Sequence, residues 1–461
     1  MKKQLLILAA AMATATSASA LDLKYRGVDY GTLEGQIKAM GILTAKDNGY
    51  DPNSGWAYML KAKYITPSFG GLQAGAGAYL NGDLFGLTDF DTERVARGMF
   101  VADDGIDKGI LGEIYATYNA ERLYAFAGRG FLDTPLTKIA FSTIPNFYTA
   151  FRAGGKPVEG LDISLGQITQ MSFGARAMTD FGLIGEVTGT AGASQLPDQR
   201  GLGQAKFLGI NEITLGPDAR NTNGITAASI SYSGLPYTNL QLWNYYSNDI
   251  SNNVYFQADG KVPVKKMKLD LGFQYLRQDD VGEGTTGIKG PVSIQKNFGD
   301  GKLDFNLIGL KAGLIGEKKK WSAHVVYNHS EGDSAFLNAY GSDPAYTSTI
   351  FSRNAYRKDV DAWGLRGMYK IMPGLVFKAQ YMNYGKSDTV GLIPNFGLAS
   401  PNTDAYEWDL ILAWKPKQVK GLTLKTFYAN RISEYDGFVR ADGKKADASQ
   451  SHWRIIGVYS F

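Results

Sequence analysis

Three histidines, His324, His329 and His452, are the bases a neutral-pH hydrolase would draw on, and Gly332-Asp333-Ser334 offers a candidate serine nucleophile. Ser334 follows the segment that carries His324 and His329. Those two histidines stand five residues apart on an alternating segment, which sends them to opposite faces and denies them a shared metal. Asp89, Asp91, Glu93, Asp103, Asp104 and Asp107 carry the oxygens that calcium prefers, but their spacing departs from an EF-hand loop, and a solvated acidic loop over 83–108 is the simpler reading. Gly75-Ala76-Gly77 has Leu80 where a dinucleotide fingerprint needs its third glycine. The chain has no cysteine, so disulfides, Cys-ligated zinc, iron–sulfur clusters and covalently attached haem are excluded. No catalytic residue, no metal ligand and no cofactor is assigned on these grounds, and no enzyme is expected.

The remaining chemistry lies in the charges. The chain sets 48 Lys+Arg against 44 Asp+Glu, a formal +4. Setting aside Lys2 and Lys3 leaves +2, too small an excess for a nucleic-acid partner. At 20% charged and 44% hydrophobic the chain is not disordered. Its 56 glycines, 27 tyrosines and 23 phenylalanines are unusual for a soluble enzyme of this length.

The elements that must position those charges are strands. Residues 1–20 read as a secretory signal: Lys2 and Lys3, an apolar run from Leu5 to Ala13, then Ser17-Ala18-Ser19-Ala20, with the mature chain starting at Leu21. After it, nothing approaches the run of apolar residues a membrane helix needs. Period-two alternation runs from end to end instead. Tyr58, Leu60, Ala62 and Tyr64 alternate with Met59, Lys61 and Lys63. Tyr406, Trp408, Leu410, Leu412 and Trp414 alternate with Glu407 and Asp409. About eighteen such segments, most of ten to twelve residues, start near 31, 55, 71, 109, 121, 147, 160, 224, 239, 252, 266, 303, 320, 361, 375, 404, 421 and 450. Their connections alternate between short and long, with one exception near 249–251. That is the pattern of short periplasmic turns and long external loops on a transmembrane barrel of residues 21–461, with outer-membrane lipid around it. All 15 prolines fall in the expected connections. The last segment places Trp453, Ile455, Gly457, Tyr459 and Phe461 on the lipid side.

Phe126-Ala127-Gly128-Arg129-Gly130-Phe131-Leu132-Asp133-Thr134-Pro135-Leu136, then Ile144-Pro145-Asn146-Phe147-Tyr148 and Gly160-Leu161, resembles the third-loop region of OprD-type bacterial outer-membrane porins. The resemblance implies an eighteen-stranded barrel whose third loop folds inward, with basic wall residues guiding small, often carboxylate-bearing, solutes. It gives roles to Arg129, matching the motif's arginine, and to Asp133, Thr134 and Pro135 where the loop begins. The loops 83–108 and 172–223 depart from the pattern.

Independently of the resemblance, the polar phase of the strands places Lys38, Lys61, Lys63, Arg122, Arg152, Lys268, Arg366, Lys378, Lys425 and Arg454 on the pore wall, opposed by Glu34, Glu113, Asp162, Asp270, Glu407 and Asp409. Cations outnumber anions, which tilts a narrow aqueous channel towards anions. Arg129 falls in the outward phase unless a bulge at Gly128 or Gly130 re-aims it. The expected candidates for the pore lining and constriction are therefore Lys61, Lys63, Arg129, Asp133, Arg152, Arg366, Lys378, Lys425 and Arg454. The expected function is passive diffusion of small hydrophilic solutes, with a weak preference for anionic or carboxylate-bearing ones. The competing expectation is a structural or interaction barrel, an adhesin or the sleeve of an electron-transfer partner. A monomer and a homotrimer are both compatible with the sequence.

Overall fold

The computed structural model describes residues 20–46, 52–92, 95–101, 105–137, 142–172, 175, 207–211, 223–286, 298, 300–337, 342–350, 357–393, 398–439, 443–447 and 449–461. The expected signal segment lies outside them except for Ala20, as do Glu93, Asp103 and Asp104 and most of the connection 172–223.

Eighteen strands run antiparallel in chain order: β1 Val28–Lys46, β2 Asn53–Ile65, β3 Leu72–Asp83, β4 Lys108–Asn119, β5 Leu123–Gly130, β6 Phe147–Gly155, β7 Leu161–Ser172, β8 Ile225–Tyr232 and β9 Thr238–Ser247, then β10 Ser251–Val264, β11 Met267–Asp280, β12 Asp304–Ile315, β13 Trp321–Glu331, β14 Val360–Met372, β15 Leu375–Tyr384, β16 Leu398–Trp414, β17 Leu422–Val439 and β18 Gln450–Ser460. Each pairs with the next, and β18 returns to β1 in a register that runs from Gln36 opposite Ser460 to Lys46 opposite Gln450. The sheet is closed, so no edge is left with unpaired backbone groups in lipid. The terminal Phe461 completes the seam: Gly35 N–H donates to its carbonyl at 2.6 Å and its own N–H donates to Gly35 O at 2.9 Å. A Cβ on residue 35 would sit 2.2 Å from the Phe461 ring, so any larger residue there would require that ring to move. Short strands at Leu21–Tyr25, Leu208–Gly209, Ser387–Ile393 and Lys445–Asp447 extend the ends of their neighbours.

Alternation does the sorting. Side chains on successive residues leave opposite faces of the sheet, so Val325 (54% exposed), Leu410 (38%) and Ile455 (52%) lie on the outer surface. Their strand neighbours Asn328, Glu407, Asp409 and His452 are buried on the inner side. An apolar exterior around a polar interior is stable in hydrocarbon and unstable in water. Among the described residues no helix is long and apolar enough to cross a membrane; the crossing is made by strands.

Two sequence expectations are corrected. Pro263 and Pro401 lie within strands, not connections. Pro263 pairs with Lys268 after the pairing with β9 has ended at Gly260, and Pro401 pairs with Val390 in the short Ser387–Ile393 hairpin. Each sits where one side of the ladder needs no donor, so the missing N–H is harmless. The pairing of β5 with β4 also runs through Gly128 without a register shift, so no bulge turns Arg129 inward.

The interior is not an empty tube. Val95, Met99 and Phe100, from the connection after β3, pack on the inward residues Met40, Ala57, Phe427 and Ile456. Leu136 of the connection after β5 packs with Phe336 and Ala345 of the connection after β13. These loops bring apolar contact into the lumen.

Candidate functional site

Loops from opposite sides of the wall meet inside the barrel. The connection after β5 reaches back to β1, where Lys38 Nζ donates to the carbonyls of Ser142 (2.9 Å) and Thr143 (3.2 Å). The connection after β13 comes from the far wall, and Ser342 N–H donates to Leu136 O at 3.0 Å. That second loop is fastened to inward side chains strand by strand. Gln274 on β11 accepts the Tyr346 N–H and donates to Pro344 O, and Asn328 on β13 accepts the Thr347 N–H. On β14, Arg366 donates to Ser348 O at 2.7 Å. On β16, Asp409 accepts the Ile350 N–H at 3.2 Å. Backbone groups in a loop inside a barrel need partners, and the polar inner face supplies them. The inward fold of the third loop, expected from the resemblance, is therefore observed; the second inward loop was not expected.

The wall cations divide into two groups. Lys61 and Lys63 on β2 are paired: Lys63 lies 2.6 Å and Lys61 3.7 Å from Glu113, and Lys61 lies 3.4 Å from Glu34. Tyr79 adds a hydroxyl donor to Glu113 at 2.5 Å. Glu113 reaches this position through a bulge. In β4 both Leu111 and Glu113 are matched to successive residues of β3, Ala78 and Gly77, leaving Gly112 as the extra residue. The bulge breaks alternation, so Leu111 points outward and Glu113, two residues on, is 1% exposed in the interior. Lys311 on β12 belongs to the same group, held by Asp259 (3.1 Å) and Asp270 (3.3 Å), with His324 Nε2 on Asp270 at 2.9 Å.

The second group forms an arc from β15 to β1. Lys378, Ile411, Phe427, Arg454 and Ile42 lie opposite one another in a single row across five strands. Arg454 lies with its guanidinium carbon 5.0 Å from the Phe427 ring centre, and its Nε donates to His452 Nε2 at 3.2 Å. Lys425 is close enough to feel the charges of Lys378, Lys415 and Arg454, and Lys38 those of Arg454 and Lys425. Lys378 is exposed to the lumen and has no ion pair among the described residues. Like charges gathered within range of one another raise the positive potential along this part of the wall.

On the opposite wall, Arg152 on β6 is held by an Nε bond to Ser164 Oγ at 3.0 Å, between the rings of Tyr124 and Trp243. Arg129 keeps the outward register, opposite Ile114, with its guanidinium carbon 4.2 Å from the Phe207 ring centre. Asp133 is exposed where the third loop begins. Arg152 and the Lys378–Arg454 arc share the lumen, whereas Arg129 keeps the outward phase of its strand. Lys311 was missed by the sequence reading, although its alternation with Leu310 and Ala312 carried the signal.

The residues singled out as a hydrolase's serine and bases have other roles where the structure describes them. Ser334 is buried and its Oγ accepts the Asp304 N–H at 3.0 Å, a structural bond. His324 faces inward to Asp270, while His329 faces outward, 2.9 Å from Asp361, as their spacing requires. Among the described residues no three acidic or histidine side chains converge on a point.

A family profile described as outer membrane porin, OprD family, matches residues 143–459. No curated protein matches the sequence. Among solved structures, the barrel is similar to OpdK from Pseudomonas aeruginosa, at 13% identity over 93% of this chain and 98% of that one, with a TM-score of 0.68. It is similar to OccK2 (OpdF) from the same organism, solved in complex with glucuronate, at 13% identity over 93% and 98%, with a TM-score of 0.67. It is also similar to OccAB2 from Acinetobacter baumannii, at 16% identity over 93% and 98%, with a TM-score of 0.68. OpdK has also been solved with vanillate.

Proposed function

The chain belongs to the OprD family of outer membrane porins, and from that premise we propose that this outer-membrane channel for small solutes prefers anions, carboxylates first. The family and the fold are those of channels, not enzymes. The observation that carries the preference is the arc of Lys378, Lys425, Arg454 and Lys38, four cations gathered on one stretch of the inner wall. A fixed positive strip on the wall of a narrow aqueous path raises the local anion concentration and lowers that of cations, because the surrounding low dielectric focuses the field. Arg152 gives a migrating carboxylate a second guanidinium on the opposite wall, flanked by two rings. Arg366 contributes by fastening the loop that narrows the path. The carboxylates in the OccK2 and OpdK structures, glucuronate and vanillate, support the same solute class. Residues 1–20 we assign to a cleaved export signal, on their charge and hydropathy pattern.

The test is electrical. Reversal potentials of single channels in a salt gradient should favour the anion, and Arg152→Gln, Arg366→Gln and Arg454→Gln combined should move them towards cations. A reversal potential unmoved by the triple change would remove these three from the conduction path.

A further inference from the structure

The strongest charge asymmetry of the molecule lies outside the lumen. Three of the short connections under β10–β17 carry Lys265 and Lys266, then Lys318, Lys319 and Lys320, then Lys415, Lys417 and Lys420, with Glu317 the one acid among them. Eight lysines against one glutamate make a net +7, more than the +4 of the entire chain. All eight are exposed, and none has an ion pair among the described residues. The connections under β2–β9 differ: 67–70 and 233–236 carry no charge, and 120–122 and 156–160 each hold one base and one acid. Long loops at the other end put these turns on the periplasmic side.

Their surroundings identify the partner. Lys320 Nζ lies 5.7 Å from the centre of the Tyr369 ring, and Tyr369 is in the outward, lipid-facing phase of β14 with Trp363 and Leu365. Trp321 directly follows Lys320 on the outer face, and Trp414 directly precedes Lys415. Exposed Val264, Ile371, Met372 and Val419 stand among the lysines. Outward aromatic rings mark the headgroup level of a barrel, where lysine stems lie along apolar surface and ammonium groups reach the phosphates. The lysines therefore continue the lipid-facing surface; they do not form a separate face in the aqueous periplasm.

We propose that the periplasmic rim of β10–β17 is a binding surface for anionic phospholipid headgroups, which concentrate at this half of the barrel and not at the half formed by β2–β9. The surface is independent of the solute the pore passes.

Native mass spectrometry of the detergent-purified full barrel, given equal amounts of phosphatidylglycerol and phosphatidylcholine of the same chain length, reads the preference. Wild type should retain phosphatidylglycerol in excess. Lys318→Gln, Lys319→Gln, Lys320→Gln, Lys417→Gln and Lys420→Gln together should lower that excess at least tenfold, since a lysine at a headgroup surface contributes roughly fivefold and two of them alone would exceed that. The same five positions changed to Arg should keep it. Heat-dependent gel mobility verifies that each variant is a folded barrel. Equal retention of both lipids by wild type, or an excess that survives the Gln changes, overturns the proposal. So does binding of soluble polyglutamate by wild type without lipid preference, which would assign the lysines to an acidic periplasmic partner.

Discussion

Glu113→Gln removes one negative charge from the lumen wall and keeps the shape of the side chain. Glu113 is the shared partner of Lys61 and Lys63, which are 15% and 13% exposed, so both ammonium groups are within reach of water and of passing ions. After the change Glu34, 3.4 Å from Lys61, is the carboxylate that still pairs with either lysine among the described residues. An ion passing about 6 Å from the newly uncompensated charge feels roughly 0.7 kcal/mol at the dielectric of water. Screening at physiological salt cuts this to about half. That factor raises local anions and lowers local cations by roughly 1.8-fold each, so the permeability ratio should move about threefold towards anions. The assay is the single-channel reversal potential across a tenfold potassium chloride gradient, repeated at high salt, where a Debye length of about 3 Å should erase most of the shift. Tyr79→Phe is the control: it deletes a hydroxyl donor to the same carboxylate without changing charge, and should leave selectivity as it was. A Glu113→Gln channel with the wild-type reversal potential at low salt would mean that Glu113 does not offset these lysines along the conduction path.

Two further changes probe the supports of the site. His452 accepts from Arg454 on Nε2, which leaves Nδ1 as the protonated nitrogen that donates to Thr44 Oγ1 at 2.7 Å. His452→Gln can keep both bonds and should preserve anion selectivity, whereas His452→Leu should weaken it by loosening Arg454, with paired reversal potentials as the readout. Lys38→Met removes both bonds that draw the third loop to β1, so single-channel recordings should show larger or noisier openings; an unchanged trace would mean that apolar packing alone holds the loop.

Most of the barrel was readable from the chain because hydrocarbon outside and water inside force one alternation on every strand. Observed strand starts such as Phe147, Leu375 and Gln450 coincide with those expected, and the opposite facing of His324 and His329 followed from parity alone. The terminal Phe461 announced the closing strand. The loops were not readable. Nothing local in Ser142 and Thr143 says that their carbonyls meet Lys38, because that bond joins residues about a hundred positions apart. The lysine count misled for a related reason. Lys61 and Lys63 have the right phase for the wall, but their pairing with Glu113 depends on a register shift at Gly112, visible only once β3 and β4 are side by side. Prolines placed by rule failed at Pro263 and Pro401, where a strand continues past its neighbour.

The most direct measurement is the conductance of the purified protein in a planar bilayer under a salt gradient. Stepwise openings are expected, with a reversal potential on the anion side. A silent bilayer from folded protein would rule out an open pore, and openings that favour cations would rule out the anion preference.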